Sequence, residues 1–181
     1  PAGRPAKTTP LTPILAAEGA KFTVVNGWER IEYVKPSAEF HPSLTFHFDE
    51  AFDVVAGEIS NLQRNVGLYE VSGFNLFEIT GEHTHAFLDH MFCGRVPHKP
   101  GKVGLGYLLN DFGMVKGEAT IANIPASHRG PARVWYGSSA ESEFHDMDWL
   151  NQHIRADEAV HIKSLTNEQT VLVIAGPNAR E

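Results

Sequence analysis

The sequence predicts an α+β fold, with mixed and antiparallel sheets and flanking helices, on three observations. Residues 118–121 alternate polar with apolar side chains, the period of a strand with one buried face. Phe52, Val55, Ile59 and Leu62 recur instead at helical spacing, as do Phe87, Leu88 and Met91. Turn residues part some strand runs closely enough for hairpins while helices intervene between others, and that mixture is the α+β pattern.

Residues 1–13 carry four prolines with Thr8 and Thr9, too many breakers for regular structure. Residues 1–36 are therefore expected to form an extended arm leading into a domain over 37–181. Within the arm, 11–20 can hold a short helix ended by Gly19. Residues 27–36 read as an irregular aromatic segment, with Trp28 and Tyr33 among Glu29, Arg30 and Glu32. Leu44, Phe46 and Phe48 alternate as a short strand would. Residues 50–64 form the clearest helix.

Strands are expected at 67–72 and 76–80 with Gly73 between them, then a helix over 82–92 that Gly94 stops. Further strands follow at 103–109, 118–124 and 132–137. Residues 142–153 are helical, with Phe144, Met147 and Leu150 at spacings of three, and strands at 159–163 and 170–175 complete the series. Residues 77–82 and 172–177 echo one another: each runs strand, glycine, helix start, which points to a duplicated strand–helix module. Pro177 suits a first helical position. A domain seldom stops on a first helical turn, so the chain is expected to be truncated at its C-terminus.

At 181 residues the chain suffices for one domain with a core, and its 42% hydrophobic content fits a soluble globular protein. No apolar run approaches the ~20 residues of a membrane span, and the residues from Pro1 to Lys7 lack the apolar segment of a secretory signal. The single cysteine, Cys93, excludes an internal disulfide framework and suits a reducing compartment; a bacterial cytoplasm and a mitochondrial matrix both fit. Fifteen basic against twenty-two acidic side chains leave a net charge of −7. No Lys/Arg cluster stands out, which argues against nucleic acid as a partner and against adhesion to an anionic membrane.

Residues 110–121 carry the most chemical information. A polar turn, Asn110-Asp111-Phe112-Gly113, runs into a strand on which Glu118 and Thr120 share one face while Ala119 and Ile121 take the other. An acid and a hydroxyl side by side can transfer protons or hold a polar ring; on a solvated sheet face they do neither, and the residues alone leave both readings open. Trp28, Tyr33, Phe74, Tyr107 and Tyr136 would suit a flat heteroaromatic ligand whose ring N–H groups need a carboxylate, or else serve as core.

His83, His85, His90 and Cys93 are metal-ligand types. His83 and His85 fall ~200° apart on a helix, however, and zinc sites favour i, i+4 pairs or CxxC corners. Helix-surface histidines are the expectation, and no metal is assigned. Cys93 is expected to be a packed thiol. His145 and Asp146 are adjacent on a helix and so are not expected to face each other. No GxSxG elbow, phosphate-binding loop or GxGxxG after a strand is present.

Five segments taken in order carry a likeness. They are Pro5 through Leu11, Gly27-Trp28-Glu29-Arg30, Val66 through Ser72, Asn110 through Ile121, and His145-Asp146-x-x-Trp149-Leu150. Together they resemble the folate-binding aminomethyltransferase region of dimethylglycine and sarcosine dehydrogenases, itself similar to the glycine-cleavage T-protein. The likeness spans nearly the whole chain, and the Gly-Trp-Glu-Arg motif favours the dehydrogenase branch over the stand-alone T-protein.

The resemblance implies the N-terminal half of a three-lobed fold with tetrahydrofolate at its centre. There a one-carbon unit from a small methylated amine, delivered as an imine, is captured. It puts the family's essential acid on Glu118, folate contacts on Thr120 and Gly137, and a pterin-wall position on Phe74. Tyr107 is added as a second wall from its aromatic character and its nearness in sequence. A carboxylate at position 118 can accept the proton of the attacking nitrogen and stabilise a transient cation.

Two departures stand out: Met114 replaces a frequent second glycine, and Glu118 is one methylene longer than the family's usual Asp. The family's later Gly-Tyr-Thr-Gly-Glu motif and its amino-terminal FAD domain lie outside this chain. The resemblance thus implies partial folate lining here, with a C-terminal half and an FAD domain as partners and FAD itself not bound by this chain. Two rival readings stand beside it: a non-catalytic folate-fold module or interaction subunit, and a metal-dependent enzyme using His83, His85 and His90.

Overall fold

Asn26-Gly27 is a two-residue hairpin signal. It closes a hairpin in the computed structural model of the chain, which describes residues 3–128 and 130–181, with φ of 51° at Asn26 and 80° at Gly27. In chain order the elements are α1 (Thr12–Ala17), β1 (Ala20–Val25), β2 (Trp28–Val34), α2 (Glu50–Arg64), β3 (Gly67–Glu70), β4 (Asn75–Thr80), α3 (Thr84–Met91) and β5 (Phe92–Cys93). They continue with β6 (Val103–Leu109), β7 (Val115–Ile124), β8 (Arg133–Ser138), a 3₁₀ turn (Ala140–Ser142), α4 (Glu143–Gln152), β9 (His161–Ser164) and β10 (Leu172–Ala175). Helices and antiparallel sheets mix, as the α+β reading expects. No helix among the described residues is long and apolar enough to cross a membrane. The chain divides into two compact units: residues through Ser72 with Thr170–Glu181, and Gly73–Gln169.

In the first unit β1 pairs antiparallel with β2, and β3 with β10. Residues 27–36, expected to be irregular, are mostly strand. The register slips where Lys21 pairs with Tyr33 and Phe22 with Ile31, so Glu32 bulges out and breaks the alternation a sequence reader looks for. Trp28 and Tyr33 are buried in this hairpin. The proline-rich start is tied down as well: Arg4 pairs with the Glu29 carboxylate, which also accepts the Ala6 N–H at 2.8 Å. Those hydrogen bonds, Arg4's first, hold the Glu29 carboxyl far below its ordinary value, at about 2.

α2 has the predicted bounds and is capped by Asp49, whose carboxylate accepts the Ala51 N–H at 2.9 Å. None of its residues is buried, so its apolar stripe is only partly covered. Leu44, Phe46 and Phe48 form no strand; they are exposed and have no neighbouring strand to complete a hydrogen-bond ladder.

The second unit is built on a six-stranded sheet in the order β5-β6-β7-β8-β4-β9, every pair antiparallel. Its apolar face meets Phe87, Leu88 and Met91 of α3 and Leu150 of α4 over Phe77, Ile79, Leu108, Ile121 and Tyr136. Phe77 and Tyr136 stack with ring centroids 5.4 Å apart. Two expectations fail here. Phe144 is exposed, because α4 turns Asp146 and Leu150 inward, an i, i+4 pair. Cys93 is exposed as well, since β5 points Phe92 to the core and its neighbour outward.

The echo between residues 77–82 and 172–177 has a structural counterpart. Gly81 (φ 123°) and Gly176 (φ 119°) each end a strand so close to a carbonyl that a Cβ would lie 2.1 Å from Ala159 O or 2.4 Å from Asn65 O. In each case the residue two further on, His83 or Asn178, donates its N–H to that same carbonyl, at 3.2 and 3.0 Å.

Candidate functional site

The turn ahead of Glu118 is organised by Asn110. Its Oδ1 accepts the N–H groups of Phe112 (3.0 Å) and Met114 (2.9 Å), and Gly113 takes φ of 76°, which glycine adopts without strain. β7 then pairs with β6, but Leu108 faces Gly117 while Leu109 faces Val115, leaving Lys116 as a bulge. Lys116 Nζ lies 5.0 Å from the Trp149 ring centroid on α4. Past the bulge strict alternation resumes: Ala119 and Ile121 enter the core, and Glu118 and Thr120 share the opposite face of the sheet.

On that face Leu105, Thr120 and Gly137 stand in register across three strands. A cavity of about 490 Å³ lies over them, lined by Phe74, Leu105, Glu118, Thr120 and Gly137. Four of the five residues expected from the sequence are thus brought together. Tyr107 is not in the lining; it stands opposite Glu118 across β6 and β7 and is 39% exposed. Its phenol is raised above the ordinary tyrosine value, first by hydrogen bonding with Glu118 and then by that carboxylate's charge. At Gly137 an added Cβ would meet nothing nearer than Asn75 O at 3.8 Å. Packing therefore does not require glycine there, and the missing side chain opens the cavity floor.

The other aromatics leave the site. Tyr136 belongs to the core face of β8, while Trp28 and Tyr33 sit in the hairpin of the first unit.

Sequence reasoning missed Ser138, Ser139 and Ser142, which also line the cavity. The Gly-Ser-Ser run at the end of β8 is the signal that was available. It also missed what lies behind Ser138. Asp146, 1% exposed, accepts hydrogen bonds from Tyr136 Oη and Ser138 Oγ on one oxygen, both at 2.6 Å, and His145 Nδ1 lies 3.1 Å from the other. The expectation that His145 and Asp146 would not meet is overturned, because the imidazole folds back onto its neighbour. Burial, and then the bond to Asp146, push the Tyr136 phenol far above its ordinary value. Asn75 Nδ2 donates to Ser138 Oγ at 2.8 Å and extends the network across β4.

The histidines take other partners. His83 Nδ1 accepts the Ala159 N–H at 2.8 Å, and His85 stacks on His98 at 4.7 Å. Among the described residues no three His, Cys, Asp or Glu side chains are grouped to hold a metal ion.

With this geometry in view, comparison with known proteins is specific. The GCVT N-terminal domain matches residues 11–181. Human mitochondrial dimethylglycine dehydrogenase is 30% identical over 157 residues, covering 86% of this chain and 17% of that protein. The mouse mitochondrial pyruvate dehydrogenase phosphatase regulatory subunit is 27% identical over 183 residues, covering 98% of this chain and 20% of that protein. The crystal structure of glycine cleavage system aminomethyltransferase T from Bartonella henselae superimposes with a TM-score of 0.72 at 21% identity, over 96% of this chain and 42% of that one. The chain spans a fifth or less of the two relatives and under half of the structural neighbour. Its α+β architecture is that of the aminomethyltransferase fold. The chain belongs to the GCVT N-terminal domain family.

Proposed function

We propose that this chain is the folate-binding, one-carbon-transfer portion of an oxidative demethylase acting on a small N-methylated amine such as dimethylglycine or sarcosine. The observation that carries the reading is the cavity that gathers Glu118, Thr120, Gly137 and Phe74 on one face of a rigid sheet. Its residues fit tetrahydrofolate: a carboxylate and hydroxyls for ring N–H and carbonyl groups, Phe74 and Leu105 as apolar walls, and an open floor at Gly137. Tetrahydrofolate, when bound, supplies a nucleophilic nitrogen for the one-carbon unit.

Glu118 accepts the proton released at that nitrogen, and its charge favours a cation formed nearby. Thr120 and the Gly137 backbone orient the ring, and Phe74 covers it. Tyr107 holds the Glu118 carboxylate from the neighbouring strand, a positioning role beside the cavity. The Asp146 network fixes the cavity wall at Ser138 from behind. In the complete protein an FAD domain would supply the oxidising chemistry and a C-terminal half would complete the site, in a mitochondrial matrix or a bacterial cytoplasm. The assay that tests the reading is formaldehyde-free, folate-coupled demethylation by the complete protein. Glu118→Gln should lower coupled transfer by about 10²-fold or more, while amine oxidation persists; intact coupling would reject Glu118 as the proton acceptor.

A second reading has its own support. The regulatory-subunit relative matches 98% of this chain, so a non-catalytic module keeping the fold without folate transfer is the alternative. It predicts folding and partner binding with no response to tetrahydrofolate.

A further inference from the structure

Asn123 follows Ala119 and Ile121 on the core face of β7 and is 5% exposed, an unusual place for an amide. Its bonds account for it. The side-chain Nδ2 donates to the carbonyls of Pro97 (3.2 Å) and His98 (2.8 Å). Its backbone N–H donates to Lys102 O (2.9 Å) and its carbonyl accepts the Gly101 N–H (2.7 Å). Val96 is buried in the core, and His98 Nε2 sits 2.8 Å from Asp89 Oδ2. The segment from Gly94 to Lys102 is therefore pinned at several points rather than left as a floppy connection.

What this pinned segment presents is charge of one sign. It carries Arg95, Lys99 and Lys102 and no acid. Among the described residues none of these three side chains makes an ion pair or hydrogen bond; the one acid that lines the same hollow, Asp89, is within hydrogen-bond distance of His98 instead. Their spacing does not read as a basic run, yet the fold brings all three to one hollow of about 740 Å³ with Val96, Pro97 and Val103 as an apolar wall. Three unpaired cations around one concavity repel one another, in a chain of net charge −7 whose acids were available to neutralise them. Arg offers a planar fork and Lys a point charge, both suited to phosphate oxygens. The hollow is concave and of small-molecule size.

We propose that this hollow binds a small ligand carrying two or more linked phosphate groups, with Arg95, Lys99 and Lys102 holding the phosphates. The site is independent of the sheet-face cavity, with which it shares no lining residue. The test is calorimetric titration of inorganic pyrophosphate into the chain at low salt, for the unaltered protein, Lys99→Glu/Lys102→Glu, Arg95→Gln, and Lys21→Glu/Lys35→Glu as a charge-matched control. Saturable one-to-one binding is expected, weakened about tenfold or more in the first double variant and in Arg95→Gln, and little changed in the control. Circular dichroism identical to the unaltered protein establishes that the variants are folded. Absence of saturation, or equal weakening in the control, overturns the site. Tighter binding of a triglutamate peptide than of pyrophosphate overturns the ligand class.

Discussion

The two compact units solve the burial problem differently. The second closes a six-stranded sheet against α3 and α4 and fully buries Phe77, Phe87, Leu88, Tyr136 and Leu150. The first has two two-stranded sheets and a fifteen-residue helix with no buried residue. Two-stranded sheets are marginal alone, so the first unit leans on particular polar ties, above all Glu29 with Arg4 and Ala6. Both units nevertheless end a strand on a glycine jammed against a carbonyl. The difference teaches where rigidity is: the candidate site lies on the unit whose core is complete, which is where preorganised catalytic geometry is best held.

The comparison can be broken most forcefully at the two glycines. Gly81→Ala should destabilise the second unit by on the order of 3 kcal/mol or more, through left-handed backbone strain plus a clash with Ala159 O. Gly176→Ala should speed amide exchange in β3 and β10 while leaving exchange in β4 to β9 unchanged. Equal losses in both units from either variant would show that the division is not energetic.

Next in size is Asp146→Ala, which strands the Tyr136 and Ser138 hydroxyls without their acceptor. We expect a loss of about 2–4 kcal/mol in urea unfolding, and a smaller loss for Asp146→Asn, which keeps one acceptor oxygen.

Acid should discriminate the units. The Glu29 carboxyl is depressed from 4.5 to about 2 in the folded protein. Its contribution is therefore fully present above pH 4.5 and is lost as pH falls through about 2. Amide exchange in β1 and β2 should accelerate across that window, and Glu29→Gln should flatten the dependence.

The smallest effect belongs to Gly27→Ala, about 1 kcal/mol for a Cβ at φ of 80° with open space around it. It should be visible as faster exchange in the hairpin alone.

How far all this was legible follows from the same contrast. Elements of the second unit are readable because one face is buried, so alternation in β7 and β8 and the i, i+3, i+4 stripe of α3 survive in the sequence. The acid and hydroxyl on one face of β7 followed from that period. Hidden were features that break a period: the bulge at Glu32 that masked β2, and the strand β1, whose Asn26-Gly27 turn was present but unused. Exposed Leu44, Phe46 and Phe48 imitated a strand because alternation alone does not supply a partner. Asp146 was unreadable for another reason. A buried carboxylate is set by donors ten and eight residues upstream, and only tertiary packing brings Tyr136 and Ser138 to it.

The central claim is that Glu118 answers a folate ring in the sheet-face cavity. Its most direct test is calorimetric titration of tetrahydrofolate under reductant into the polypeptide extended to the length of its relatives, unaltered and as Glu118→Gln. Saturable binding to the unaltered protein is expected, with a loss of about tenfold or more in the variant and urea unfolding unchanged. Binding equal in both, or absent from both, would contradict that claim.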